Sequence, residues 1–188
     1  MTAYALFVNM DVLERYGLEA PDNLEEFKVC CTEIKALGGT PISLSRWHAT
    51  AVPTIANGLY KLYDGPDIQK HLELLNSGEE QIGDYMVEGF EAFQTSVENG
   101  WYGDGVDGDA ADALRAGEKD ISDFTSGMTA FYFGPLEYIP LVEEANPPTD
   151  YHVQGIHVTG GTALLITVVS RICVNPDSDN MDEALEFV

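Results

Sequence analysis

The sequence has few basic residues: Lys and Arg number 9 against 32 Asp and Glu in 188 residues, which gives a formal charge of −23. An acidic surface repels phosphate backbones and anionic membrane surfaces over a Debye length of about 8 Å. We therefore expect no nucleic-acid partner, whereas neutral ligands and cations are compatible with the charge. Solubility alone also explains such acidity, so the charge does not choose between these ligands.

Cysteine and long apolar runs are scarce as well. Cys30 and Cys31 are adjacent and Cys173 is remote, which excludes an even-numbered disulfide framework and a CxxC pair for zinc or redox chemistry. The longest apolar stretch, residues 163–169, is much shorter than the roughly 18 residues that cross a bilayer. We expect buried thiols and a chain that does not span a membrane.

The two ends of the chain lack the usual boundary signals. Residues 1–3 begin without the basic and apolar regions of a signal peptide, so a signal segment was removed or never included. Residues 183–188 look like the first turns of an amphipathic helix with no stop signal after them. We interpret the chain as a fragment of a larger protein.

Motifs for catalysis or metal binding are also missing. Residues 103–108 satisfy G-x-G-x-x-G, but no strand precedes them, and Asp104 and Asp107 would repel a phosphate. The aspartates of this loop lack EF-hand spacing, which leaves open only incidental calcium binding. The four histidines are dispersed, and no GxSxG or HExxH motif occurs. With 32 carboxylates, a pair that could act as catalytic acid and base can always be found, so such a pair does not indicate a glycosidase. We predict no catalytic residue, metal site or cofactor.

The sequence does contain alternating strand and helix patterns, which predict an α/β fold. Asn23 and Glu26 have the spacing of a capping box at the start of one strong helix, and Gly38 ends that helix. The predicted strands are 5–8, 41–45, 130–133, 151–158 and 163–174. The predicted helices are 10–16, 24–37, about 48–63, 68–75, 86–97, 110–117 and 136–145. No repeat or linker divides the chain, so we expect one domain.

Several aromatic residues lie near predicted loops: Trp47, Tyr60, Tyr63, Trp101, Tyr102, Tyr132 and Tyr138. Their flat faces and polar tips can stack on sugar rings, although such residues also build cores. We expect Trp101 to pack in the core. Trp47 lies in a loop at the carboxyl end of a predicted strand, where α/β folds place ligands, and for it both roles stay open.

Four segments, taken in order, resemble a known family. They are 4–18, a strand and helix; 23–43, a capped helix and strand; 124–135, which leads to Gly134-Pro135; and 160–187, a glycine pair, a strand and a helix. Together they are similar to the extracellular solute-binding proteins of bacterial ABC importers, family 1, in the group that carries sugars and oligosaccharides. The resemblance covers nearly the whole chain.

The resemblance implies a fold in which two α/β lobes close on a solute about a hinge. The fold class would be α/β, with the chain as a helix-rich lobe of a two-lobed, type II periplasmic-binding-protein-like fold, truncated. Residues 1–188 would form a single domain, mainly the C-terminal lobe, with crossover strands at about 1–9 and 163–174. Residues 175–188 would start a helix that belongs to the missing part.

The resemblance also implies ligand-binding positions in the loop after the second strand and around the Gly-Pro turn. They are Trp47, His48, Gly134, Pro135, Leu136 and Tyr138. Family members often have a sugar-stacking Trp where this chain has Leu136. They also often have an aromatic residue where it has Thr162 and Ala163.

The function implied by the resemblance is non-enzymatic. The protein would capture a small-molecule solute, a neutral carbohydrate, by hinge closure and deliver it to ABC permease subunits. It would act outside the cell, either as a membrane-anchored lipoprotein or in the periplasm. Two alternatives stay open: an acidic interaction module that binds a basic partner, and a carbohydrate hydrolase that uses two carboxylates.

Overall fold

The computed structural model describes residues 1–44, 48–103, 116–145 and 150–167, together with 180 and 183. Its strands are β1 (Thr2–Asn9), β2 (Thr40–Ile42), β3 (Thr129–Pro135), β4 (Tyr151–Gln154), β5 (Ile156–Val158), β6 (Gly161–Ala163) and β7 (Leu165–Thr167). Its α-helices are α1 (Met10–Arg15), α2 (Leu24–Ala36), α3 (His48–Tyr63), α4 (Ile68–Ser77), α5 (Ile82–Glu98), α6 (Ala116–Thr125) and α7 (Ile139–Glu144). A 3-10 helix, Leu136–Tyr138, joins β3 to α7. The α/β fold class is confirmed.

The main sheet is built around β1, which is almost entirely buried. β1 pairs antiparallel with β3, with Leu6 opposite Phe133, and antiparallel with β4 and β7. β2 pairs parallel with β3, with Ile42 opposite Phe131, and gives the order β2-β3-β1-β4. β5 and β6 form a separate antiparallel pair. The parallel β2–β3 pair matters for the site because it places the carboxyl ends of both strands at one edge.

The sheet separates two cores because successive strand residues point to opposite faces. Leu6, Phe131 and Phe133 face α2, where the Phe27 ring packs at a tilt against the Phe131 ring, with their centroids 4.8 Å apart. We call this the α2-side core. The smaller α6-side core on the other face consists of Phe7, Ile121, Phe124, Tyr132 and Val142.

The start of α2 confirms the predicted cap, but the Glu26 carboxylate accepts from the Asp22 N–H, whereas a standard capping box uses the N–H of the cap residue. The Asn23 Oδ1 accepts from the Glu26 N–H at 3.0 Å, as an N-cap should. The Glu26 carboxylate reaches back to the Asp22 N–H at 2.9 Å and to the Asn23 side-chain amide at 2.8 Å. These hydrogen bonds lower the pKa of Glu26 because they favour the ionised carboxylate. The helix ends at Gly38, whose φ of 84° suits glycine.

Three helix predictions were wrong in their boundaries. The helix predicted over 86–97 is α5, which begins four residues earlier, at Ile82. The helix predicted over 110–117 falls largely outside the described residues, but its predicted end at Gly117 lies inside α6, which continues to Thr125. Glycine early in a helix does not end it when the residues that follow bury a face, as Ile121 and Phe124 do in the α6-side core. The predicted helix 136–145 begins as the 3-10 turn and becomes α-helical at Ile139.

The strand predicted over 151–158 is two strands in two sheets. It breaks at Gly155, where an added Cβ would overlap the Thr162 Cγ2 of β6 and lie 3.3 Å from the Ala163 carbonyl oxygen, so glycine permits this close approach of β6. The described part of the strand predicted over 163–174 is likewise split between β6 and β7. Residues 168–174 and most of 175–188 lie outside the described residues, so the second crossover strand and the helix after it stay predictions. Among the helices of the described ranges, none is long and apolar enough to cross a membrane.

Candidate functional site

The candidate site lies at the edge where the parallel strands β2 and β3 end. The segment after β2 leads to His48, the first residue of α3, and the segment after β3 forms the 3-10 turn from Leu136 to Tyr138. These connections meet because both strands run in the same direction. Ligands in α/β folds bind outside the carboxyl ends of such strands.

Three tyrosines surround the imidazole of His48. The His48 ring centroid lies 5.5 Å from that of Tyr4, 5.9 Å from Tyr138 and 6.4 Å from Tyr132. The contacts to Tyr138 and Tyr132 are edge-to-face, a favoured geometry for aromatic rings. We call these four residues the aromatic cluster. His48 and Tyr138 are half-buried, so this cluster reaches the surface.

The position of His48 is fixed from the core. The Tyr102 hydroxyl, buried under α3, donates to the carbonyl oxygen of Ala49 at 2.9 Å. This hydrogen bond ties the first turn of α3 to the core, because the carbonyl groups of a first turn otherwise accept only from N–H groups of the same helix. Burial lowers the pKa of His48, which favours the neutral ring at pH 7. A neutral imidazole offers one donor and one acceptor rather than a positive charge.

The Gly-Pro turn is explained by its neighbour Tyr132. Residues 132 and 134 lie on the same face of β3, and a Cβ on Gly134 would overlap the Tyr132 ring and come 2.6 Å from its hydroxyl oxygen. Glycine therefore lets the tyrosine ring lie along the strand. Pro135 ends the strand opposite Tyr4 of β1, which brings the turn beside the aromatic cluster.

Tyr132 places a polar group in the α6-side core. Its side chain is fully buried, and its hydroxyl has no hydrogen-bond partner among the described residues. Burial, and then the nearby Asp120 carboxylate, raise the pKa of Tyr132 above the ordinary range of a phenol. The hydroxyl therefore stays protonated and keeps a proton that it can donate.

The structure brings five of the six predicted ligand-binding residues to this edge: His48, Gly134, Pro135, Leu136 and Tyr138. Trp47 lies outside the described residues. That these residues bind a solute stays a prediction. Tyr4 and Tyr132 complete the cluster and were missing from the predicted set, although strand alternation places Tyr132 two residues before Gly134 on the same face.

The other aromatic residues have mainly structural positions. Trp101 is buried in the α2-side core, as expected, together with Tyr102. Tyr60 packs on the Gly160-Gly161 turn, where a Cβ on Gly161 would overlap its ring. Tyr63 is 58% exposed at the end of α3. None of these four lies in the aromatic cluster.

Metal-binding side chains do not converge in the part of the chain that the structure describes: it holds no group of three or more His, Cys, Asp or Glu suited to a metal ion. His152 is exposed on β4, whereas His157 is buried on β5, because the break at Gly155 sends them to different sheets. The acidic loop 104–109 lies outside the described residues, so incidental calcium binding there stays untested.

Comparison with known proteins gave no matching family model and no matching curated sequence. Solved structures do match. A family 1 extracellular solute-binding protein from Bifidobacterium longum subsp. infantis superimposes with a TM-score of 0.61 at 18% identity, over 84% of this chain and 40% of that one. The fold is that of part of this structure.

Two further structures extend the match to nearly the whole chain. A Caldanaerobius polysaccharolyticus protein from work on xylan utilization gives a TM-score of 0.62 at 19% identity, over 99% of this chain and 47% of that one. A sugar transporter from Bacillus licheniformis in complex with stachyose gives 0.62 at 20% identity, over 99% and 49%. The chain therefore spans 40–49% of the length of these three structures.

Proposed function

We propose that the chain is part of the solute-binding component of an ABC importer and captures a neutral carbohydrate. The observation that carries the proposal is the aromatic cluster, which lies at the carboxyl edge of β2 and β3 in a solute-binding-protein fold. Capture would occur by hinge closure, and the loaded protein would deliver the solute to membrane permease subunits.

The chemistry of the cluster supports a neutral, hydroxyl-rich solute. Tyr138, the half-buried tyrosine of the cluster, can offer its ring to the C–H face of a sugar and its hydroxyl to the sugar hydroxyls. His48 favours its neutral form and adds one donor and one acceptor. The formal charge of −23 is compatible with a neutral ligand and opposes an anionic one.

The structural neighbours support the same class of ligand. The Bacillus licheniformis protein is in complex with stachyose, a sugar transporter from Arthrobacter chlorophenolicus has laminaribiose bound, and a third structure is a chitin oligosaccharide binding protein. All are described as binding proteins or transporters, which favours binding over catalysis for this chain. By the same relationship we propose an extracellular location, as a membrane-anchored lipoprotein or in the periplasm.

The test is a tryptophan-fluorescence titration of the longest natural form of the protein with neutral mono- and oligosaccharides, with product analysis of each sample. We expect saturable binding of at least one saccharide without product. A lack of response to every saccharide would reject the carbohydrate proposal. Released product would favour the hydrolase, and binding to a basic protein that salt abolishes would favour the interaction module.

Two tyrosine variants locate the site. Tyr138→Ala removes a half-buried ring from the cluster, and an aromatic contact is worth about 0.5–1.5 kcal/mol, so we expect affinity to fall up to about tenfold. Tyr63→Ala, at an exposed position on the same chain, is the control and should leave affinity unchanged. Equal affinity for both variants would place the binding site away from the aromatic cluster.

A further inference from the structure

Tyr132 is the member of the aromatic cluster that belongs to the α6-side core. Its side chain is fully buried, and its ring packs on the rings of Phe7 and Phe124, with centroids 5.3 and 6.2 Å away. Phe7 and Phe124 are fully buried as well. Because protein interiors are close-packed, these neighbours hold the Tyr132 ring in one place. A solute at the surface of the site would not contact Tyr132 directly.

The same ring meets both connections that form the candidate site. It lies edge-to-face on the ring of His48, the first residue of α3, with a centroid distance of 6.4 Å. At the end of β3 it lies directly on the backbone of Gly134, where an added Cβ would overlap it. Tyr132 therefore supports the start of α3 and the Gly-Pro turn at once.

The spacing of His48 and Tyr138 depends on these two contacts. Both side chains are half-buried, and their ring centroids lie 5.9 Å apart. His48 contacts Tyr132 directly, whereas Tyr138 follows Gly134 by four residues, in the 3-10 turn. A change of side-chain volume in a packed interior moves the groups that pack on it. A smaller side chain in place of Tyr132 would therefore let the two half-buried rings shift relative to each other.

We propose that Tyr132 is a positioning residue, which sets the spacing of His48 and Tyr138 and thereby the affinity of the candidate site for its solute. The effect on affinity rests on the proposed function, whereas the effect on spacing does not. The ring rather than the hydroxyl has this role, because the hydroxyl has no hydrogen-bond partner among the described residues. A saccharide needs its polar and apolar contacts at fixed separations, so displacement of either half-buried ring weakens its binding.

The spacing is tested by NMR without any ligand. NOEs between the ring protons of His48 and Tyr138 are measured on the 188-residue chain, and His48→Gln and Tyr138→Phe assign the two rings. Tyr132→Leu should change the intensity of these NOEs, whereas Tyr132→Phe keeps the ring and should retain them. Phe131→Leu cuts a fully buried ring on the same strand that faces the α2-side core, so as the matched control it should retain them too. Unchanged NOEs in Tyr132→Leu would overturn the proposal.

The affinity is tested by calorimetric titration of the longest natural form of the protein with stachyose and laminaribiose, two neutral saccharides. For a saccharide that the wild type binds, Tyr132→Leu should lower affinity about two- to tenfold, the cost of one misplaced aromatic contact. Tyr132→Phe and Phe131→Leu should stay within about twofold of the wild type. Wild-type affinity in Tyr132→Leu would also overturn the proposal, because Tyr132 would then affect folding alone.

Loss of folding and loss of the carbohydrate function are separated from these outcomes. If Tyr132→Leu does not fold, Tyr132→Met, whose flexible side chain fills irregular space, takes its place in both measurements with the same expected results. If the wild type binds no saccharide, the proposed function fails, and the NOE comparison still decides whether Tyr132 sets the spacing of His48 and Tyr138.

Discussion

The two faces of the main sheet differ in the size of the core that each covers. The α2-side core is large, and its interior is filled by aliphatic and aromatic side chains around Phe27 and Phe131. The α6-side core is small. It buries the Tyr132 hydroxyl near the Asp120 carboxylate, and the Tyr132 ring contacts His48. Both sides bury polar atoms that have no partner among the described residues, and such atoms cost stability. The α2-side core buries more apolar side chains, so we expect it to contribute most to stability, whereas the α6-side core brings Tyr132 to His48 at the candidate site.

The largest effect should come from cutting into the α2-side core. Phe131 is fully buried and packs against Phe27, so Phe131→Ala should lower the free energy of unfolding by about 3–5 kcal/mol. Urea denaturation measures this loss. Phe90→Ala, at a position 59% exposed on α5, is the control and should change it by less than about 0.5 kcal/mol. Similar values for the two variants would contradict the assignment of the stabilising core.

A smaller loss is expected at the Gly-Pro turn. Gly134→Ala places a methyl group against the Tyr132 ring, and such overpacking costs about 1–3 kcal/mol. The loss should shrink in a Tyr132→Leu background, because the two sites are in contact. Gly83→Ala on α5, where an added Cβ meets nothing within 4 Å, should be neutral or slightly stabilising. Additive losses from the Gly134 and Tyr132 changes would disprove the close approach.

Two tyrosine hydroxyls should respond with opposite signs. Tyr132→Phe removes a buried hydroxyl without a described partner, so unfolding free energy should stay the same or rise by up to about 1 kcal/mol. Tyr102→Phe removes the bond to the Ala49 carbonyl oxygen and should lower it by about 0.5–1.5 kcal/mol. Thermal and urea unfolding compare the two. A clear loss in Tyr132→Phe would mean that its hydroxyl has a stabilising partner.

The smallest expected effect is the dependence of the unfolding free energy on pH, which we attribute to His48 and His157. Burial lowers the pKa of His48 and of His157 from the ordinary 6.5. Protonation of these histidines therefore opposes folding. Their contribution to stability is complete above pH 6.5 and is lost as the pH falls towards their pKa values in the folded protein. Urea midpoints between pH 7.5 and 5.5 should decline. His48→Gln and His157→Gln should each flatten the decline, and an unchanged slope in both would contradict this origin.

Local signals in the sequence predicted a large part of the fold. The side-chain oxygen of Asn23 caps α2, Gly38 ends it, and the alternation through Phe131 and Phe133 marks β3, because each signal acts within a few residues. The failures were non-local. α6 continues past Gly117 because Ile121 and Phe124 meet a core made by distant strands, and Gly155 breaks a strand because β6 packs against it.

The candidate site shows the same division. The Gly-Pro turn, His48 and Tyr138 were predicted through a resemblance in segment order, and the structure places them together. Tyr4 was not predicted because it joins His48 through sheet pairing with Pro135, more than 130 residues away in the chain. The atoms of Asn57, Trp101 and His157 that have no partner among the described residues could not be predicted either, since these residues lie in three separate parts of the chain.

The sequence by itself determined the acidic charge, the alternation of strands and helices and the caps that start and end them, because these depend on composition or on neighbours within a turn. Tertiary structure alone decided which strands pair, which aromatic rings surround His48 and which polar atoms are buried. Those features depend on contacts between residues far apart in the chain, and burial changes the energy of a polar group only once the surrounding core has formed.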